Sequence, residues 1–136
     1  MIEELIKAAQ TGNNQKISKL IILGVKINNK GVDGDTALIW AAYNGHNQTV
    51  QLLCDNNADT NIKGLHGNTA LHWAAYQGHE DIIKILLRYN ASPDIENDNH
   101  IKPAAFAYLN NKSFDNLLIT SHSTNNHATP PPRLLA

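Results

Sequence analysis

Gly34-Asp35-Thr36-Ala37-Leu38-Ile39-Trp40-Ala41-Ala42-Tyr43-Asn44-Gly45-His46 recurs 33 residues later, without a gap, as Gly67-Asn68-Thr69-Ala70-Leu71-His72-Trp73-Ala74-Ala75-Tyr76-Gln77-Gly78-His79. A fixed period of this size is the signature of a repeat architecture and decides the fold before any single motif is weighed. The same offset carries Asn57-Ala58 onto Asn90-Ala91 and Ile62 onto Ile95. Toward the N-terminus, Ala41-Ala42, Gly45 and Leu53 fall on Ala8-Ala9, Gly12 and Leu20. Toward the C-terminus, Ala70, Trp73 and Ala74 fall on Pro103, Phe106 and Ala107. The frame predicts four units, at about 1–30, 31–63, 64–96 and 97–120, with 121–136 outside it.

Local signals give each unit its structure. Thr36 and Thr69 can cap a helix, because a threonine hydroxyl accepts from an otherwise orphan backbone N–H. Pro103 suits a first helical turn, where its missing N–H costs nothing. Leu38, Ala41 and Ala42 mark a short helix that Gly45 ends through its freedom at positive φ. A second helix is expected over about 47–55, with Val50, Leu52, Leu53 and Cys54 on its apolar face. Asn56-Asn57-Ala58-Asp59 and Asn90-Ala91-Ser92-Pro93 read as loop and turn. The paired alanines let neighbouring helices approach closely.

These motifs resemble those of the ankyrin-repeat family. Thr69-Ala70-Leu71-His72 stands where that family has T-P-L-H, with alanine in place of proline, and Thr36-Ala37-Leu38-Ile39 is a further variant. Gly45-His46 and Gly78-His79 occupy its helix-to-helix Gly-His, and Asn57-Ala58-Asp59-Thr60-Asn61 resembles its G-A-D-V-N. The resemblance spans about 120 residues, strong in units two and three and degenerate in units one and four. It implies an all-α fold, a solenoid of stacked helix–turn–helix units joined by β-hairpin loops.

Degenerate ends are what stacking physics requires, since a terminal unit needs a polar outer face. Unit three carries Ile82, Ile83, Ile85, Leu86 and Leu87 in its second helix, whereas unit four has Asp115, Asn116, Leu118, Ile119 and Thr120. Unit one has Lys16, Ile17, Lys19, Leu20 and Ile21, again partly polar. Units one and four therefore read as caps, and the array is expected to be complete with four repeats.

Composition narrows the function. With 42% hydrophobic and 17% charged residues among 136, the chain is a globular protein rather than a disordered one. A net charge of -1, with lysines and arginines scattered, argues against nucleic acid or an anionic membrane as partner. The single Cys54 excludes an intramolecular disulfide framework and points to a reducing compartment. The opening MIEELIKAAQ places acids where a secretory signal has basic residues, and no stretch approaches a membrane span. A cytoplasmic monomer is expected, with delivery into a host cell as an open possibility.

Each reactive residue has a packing role that competes with a chemical one. His66, His72 and His79 invite a metal reading, yet no CxxC, CxxH or HExxH accompanies them. In the resembled family, histidines at the positions of His46, His72 and His79 hydrogen-bond the turn and the helix junction. His66 reads as an exposed hairpin residue. Trp40 and Trp73, continued by Phe106, read as a ladder of buried core rings, with a stacking platform as the alternative. Cys54 matches Leu87 one period on, an apolar packing position, and has no assignable activating partner. Asp33 with Asp35, and Glu80 with Asp81, lack acid–base spacing. Gly31, Gly34, Gly64 and Gly67 lack the GK[ST] ending of a phosphate loop and belong to hairpin turns. No catalytic residue, metal ligand or cofactor is assigned.

The resemblance implies a protein partner, bound on hairpin tips and the exposed side of the first helices. The positions that vary within the frame are the candidates. Unit two contributes Val32, Asp33, Asp35, Tyr43 and Asn44; unit three contributes Leu65, His66, Asn68, Tyr76 and Gln77. Unit four adds Asn99, Ile101, Leu109 and Asn110. Tyr43 and Tyr76 are expected to anchor the partner, because tyrosine joins a large apolar ring to a hydrogen-bonding end. The competing reading packs the two tyrosines against each other across neighbouring units. Three other roles stay open: a scaffold without one defined partner, an effector, or a substrate whose hairpin asparagines Asn28 and Asn61 meet an asparaginyl hydroxylase. Thr129-Pro130-Pro131-Pro132-Arg133 favours polyproline II or a disordered end.

Overall fold

A computed structural model describes residues 1–119. Within them the chain forms eight α-helices in four antiparallel pairs: α1 (Ile2–Thr11) with α2 (Asn14–Ile22), α3 (Ala37–Asn44) with α4 (Asn47–Asp55), α5 (Ala70–Gln77) with α6 (Glu80–Arg88), and α7 (Pro103–Tyr108) with α8 (Asp115–Leu118). One 3₁₀ turn, Leu65–Gly67, lies in the loop before α5. Among the described residues there is no strand, and no helix is long and apolar enough to cross a membrane.

The helix ends follow the local chemistry. Thr36 Oγ1 accepts from Ile39 N at 3.2 Å, and Thr69 Oγ1 accepts from His72 N at 3.3 Å. Pro103 is the first residue of α7. Gly12, Gly45 and Gly78 end α1, α3 and α5 in the left-handed region, at φ of 75°, 78° and 80°. That conformation turns the chain sharply enough for each second helix to fold back on the first.

Stacking places the odd-numbered helices in one row and the even-numbered ones in another. Helix α3 packs between α1 and α5, and α5 between α3 and α7. Helix α4 packs between α2 and α6. Ala8, Ala9, Ala41, Ala42, Ala74, Ala75 and Ala107 are all buried in the contact between rows, where a larger side chain would hold the helices apart. The outer row supplies Ile17, Val50, Leu53, Ile82, Ile83 and Leu86, each fully or almost fully buried. Burying one such side chain stabilises the fold by roughly 1.5–3 kcal/mol. Helix α8 keeps only one turn: Leu118 is buried, while Ile119 just beyond is 48% exposed.

Between pairs, the chain reverses through loops that repeat with the same period. Gly31 N donates to Asp35 O, Gly64 N to Asn68 O, and Asn97 N to Ile101 O, at 3.0, 2.8 and 2.9 Å. A tighter bond sits inside each loop, from Gly34 N to Gly31 O, Gly67 N to Gly64 O, and His100 N to Asn97 O. These are the hairpin connections in their shortest form, since so few residues reverse the chain that no ladder of strand bonds develops.

Candidate functional site

Trp40 and Tyr43 stand three residues apart on α3, and Trp73 and Tyr76 do the same on α5. That spacing puts each pair on one helix face. Ring centroids are 5.9 Å apart for Trp40–Tyr43, 5.0 Å for Tyr43–Trp73, 5.5 Å for Trp73–Tyr76 and 4.9 Å for Tyr76–Phe106. The first three contacts are edge-to-face, the arrangement ring quadrupoles favour. A continuous aromatic row thus crosses three units. The tyrosines do not stack on each other; Tyr43 lies against Trp73, which lies against Tyr76.

The ladder differs from expectation in its depth. Phe106 is buried, but Trp40, Tyr43, Trp73 and Tyr76 are each only half-buried. The neighbouring helices leave part of each of these four rings uncovered. Between units two and three they border a cleft of about 220 Å³, lined by Asp35, Ile39, Trp40, Tyr43, Leu65, His66 and Trp73. The Trp40 indole N–H is buried and has no hydrogen-bond acceptor among the described residues.

Leu65 and His66, on the loop before α5, line the cleft with the rings. Val32 is 86% exposed and Leu65 is 50% exposed, unusual settings for aliphatic side chains. Asp33, Asn44 and His66 are exposed, and Gln77 is half-buried. Asn44 Nδ2 donates to Gln10 O at 3.2 Å, and Asn110 repeats the bond to Tyr76 O at 2.8 Å. Asn99 and Leu109 are exposed, and Ile101 is half-buried.

Asp35 and Asn68 depart from the expected surface. Both are buried, at 9% and 4% exposure. Asp35 Oδ1 accepts from Leu65 N at 2.9 Å, and Asn68 Oδ1 accepts from Asn97 Nδ2 at 2.9 Å. Each side chain therefore holds the loop of the next unit. Burial raises the pKa of the Asp35 carboxyl; the Leu65 N–H works against that rise, and the nearby Asp33 charge adds to it.

The reactive residues are engaged in the fold. His72 Nε2 donates to Ile101 O at 2.8 Å, and Nδ1 accepts from Thr69 N at 3.1 Å. His46 Nε2 donates to Gln10 O at 2.8 Å. His79 packs so closely on Gly45 that a Cβ there would lie 2.8 Å from the ring. His66 sits on the loop tip at φ 60°. Cys54 is buried, and burial pushes its thiol pKa up to about 11. Among the described residues no group of three His, Cys, Asp or Glu side chains is placed to hold a metal ion.

The hairpin asparagines bridge successive loops. Asn28 Oδ1 accepts from Asp59 N and Asn61 Oδ1 from Ser92 N, both at 2.8 Å, while Asn61 Nδ2 donates to Asn90 O at 3.1 Å. The proline-containing stretch 129–133 lies outside the described residues.

Trp40, Trp73 and Ile39 line the cleft, whereas the repeat pattern alone places the tryptophans in the core. The signal that finds them is the i,i+3 spacing of Trp40 with Tyr43 and of Trp73 with Tyr76, which forces each pair onto the same face. A second polar cluster, in which the Tyr89 hydroxyl donates to Asp55 beside Gln51, has no repeat-frame signal at all.

Three copies of the ankyrin repeat are matched over residues 5–97, more than half of the chain. No curated protein matches it. Ankyrin repeats are in general protein–protein interaction modules and typically lack catalysis. The period, the paired helices and this match together make the chain a member of the ankyrin-repeat family.

Proposed function

We propose that the chain is a non-catalytic binding module that seats one partner protein, as a monomer and without a cofactor, across its loop tips and odd-numbered helices. The observation that carries this reading is the half-exposed aromatic row with Leu65 beside it, together with Val32 exposed at the equivalent loop position of the preceding unit. Aromatic rings at the centre of a patch contribute most to protein association, and the contacts packed around them exclude water. Val32, Asp33, Tyr43, Asn44, Leu65, His66, Tyr76 and Gln77 make up the surface, Asp35 lines the cleft within it, and Asn68 acts beneath it.

Quantitative pull-down followed by mass spectrometry tests this. A Val32→Asp/Leu65→Asp variant changes only exposed tips, so its thermal melt should match the parent. Proteins retained by the parent should be lost from this variant and from Tyr43→Ala/Tyr76→Ala. Equal retention of the same proteins by all three sinks the reading.

A further inference from the structure

We infer that the cleft between α3 and α5 is a receptor for a methylated lysine side chain carried by the partner protein. The inference rests on the reading of this face as the partner surface and goes on to name the group it recognises.

Three rings meet around one space. The Tyr43 ring stands at 79° to Trp40 and 81° to Trp73, with centroids 5.9 and 5.0 Å away. All three line the cleft of about 220 Å³, and Ile39 and Leu65 complete its apolar lining. An ammonium seated in the cleft is bordered by all three aromatic side chains, of which tryptophan is the strongest cation partner.

The remaining walls are His66 and Asp35. Its Oδ1 is held by Leu65 N, and among the described residues it forms no ion pair. Burial raises its pKa despite the Leu65 N–H and the nearby Lys30 and His66, so the ionised carboxylate can still gain from a further cation. A cation in the cleft supplies that gain, a neutral guest does not, and an anion is repelled.

Aromatic walls and one carboxylate together favour a methylated over a primary ammonium. Methyl groups lower the cost of dehydrating the nitrogen and pack against the rings, while the charge still meets Asp35. A protein is the fitting carrier, because the aromatic row continues from the cleft to the half-buried Tyr76. A peptide chain lying along it meets a further ring on one side of the lysine.

The test is tryptophan fluorescence titration of the full chain, since two indoles border the cleft. The probes are the Nα-acetyl methylamides of dimethyl-lysine, of unmodified lysine, and of a neutral isostere with isopropyl in place of dimethylammonium. Dimethyl-lysine should give a saturable change, and the unmodified and neutral probes should bind at least about ten-fold more weakly. Asp35→Asn keeps an oxygen for Leu65 N and removes the charge. It should weaken dimethyl-lysine about ten-fold and leave the isostere unchanged.

Equal binding of the isostere to the unaltered chain overturns the inference, and that comparison needs no variant to fold. So does the absence of saturation by dimethyl-lysine, or a preference for phosphocholine vesicles over it. The amino-acid probes need no partner, so the two readings fail separately. Lost capture by the Val32→Asp/Leu65→Asp variant with no dimethyl-lysine binding removes the cage and leaves the partner surface. Specific dimethyl-lysine binding with unchanged capture keeps the cation site and removes that surface.

Discussion

The His72 imidazole donates from Nε2 to the Ile101 carbonyl at 2.8 Å and so ties the inner helix of one unit to the loop that opens the next. Its other nitrogen accepts from Thr69 N, closing a capping box at the start of α5. The ring is fully buried and lies edge-to-face on Phe106, with centroids 5.6 Å apart. Both nitrogens are thus satisfied only by the neutral tautomer.

A pH dependence follows from this bond. Burial lowers the His72 pKa from 6.5 to about 4, against the opposing pull of the Ile101 carbonyl. The unfolded chain therefore binds the extra proton first as pH falls, and stability drops through the window from 6.5 to about 4. The whole shift corresponds to roughly 3 kcal/mol, about 2 of which is lost between pH 7 and pH 5. Urea unfolding at a series of pH values should show this slope, and His72→Gln should flatten it. An unchanged slope in that variant would assign the acid sensitivity elsewhere.

Gly64 is required for its lack of a side chain rather than for an unusual φ. A Cβ there would sit 2.1 Å from Asp35 Oδ1 and 2.8 Å from Ile39 Cδ1. Gly64→Ala should therefore push the Asp35 carboxylate off Leu65 N and cost about 1–3 kcal/mol. A melting curve matching that of the parent would show that the loop moves aside freely.

Gly24, Asn57 and Asn90 occupy one position of the repeat and share a positive φ, of 89°, 70° and 68°. Asparagine tolerates the left-handed region better than most residues but less well than glycine. Asn57→Gly and Asn90→Gly should each stabilise by a few tenths to about 1 kcal/mol, and Asn57→Val should destabilise by about 1 kcal/mol or more. Both asparagines are exposed, so the comparison isolates the backbone. Equilibrium denaturation reads the sign directly; a destabilising glycine at both sites refutes the argument.

Cys54 should behave as a core thiol. It is 3% exposed and its pKa is near 11, so few thiolates form at neutral pH and fewer meet a reagent. Labelling by a disulfide reagent should be slow in buffer and fast in urea above the unfolding transition. Native labelling within about ten-fold of the unfolded rate would instead mark an accessible, activated sulfur.

Much of the helix architecture was legible because it is local. A threonine bonding the N–H three residues on, or a glycine turning left after the last helical residue, involves neighbours in the chain. Thr36, Thr69, Gly45, Gly78 and Pro103 therefore read correctly one by one. The candidate surface was legible only in part. Val32 and Leu65 stand where their variation placed them, at exposed tips. Asp35 and Asn68 vary in the same way, yet their partners Leu65 and Asn97 lie about 30 residues on, and periodicity within a unit does not reveal such a bond.

By itself the sequence determined the period, the paired helices and the small residues between them, because these follow from short-range bonding and repetition. Only the stacked structure decided which side of the aromatic row stays uncovered and which polar side chains turn inward. Each of those outcomes depends on the distance and angle between successive units, a property of the packed array and not of any one repeat. That spacing leaves Trp40, Tyr43 and Trp73 half-buried around Asp35, a carboxylate the linear pattern had placed on the surface.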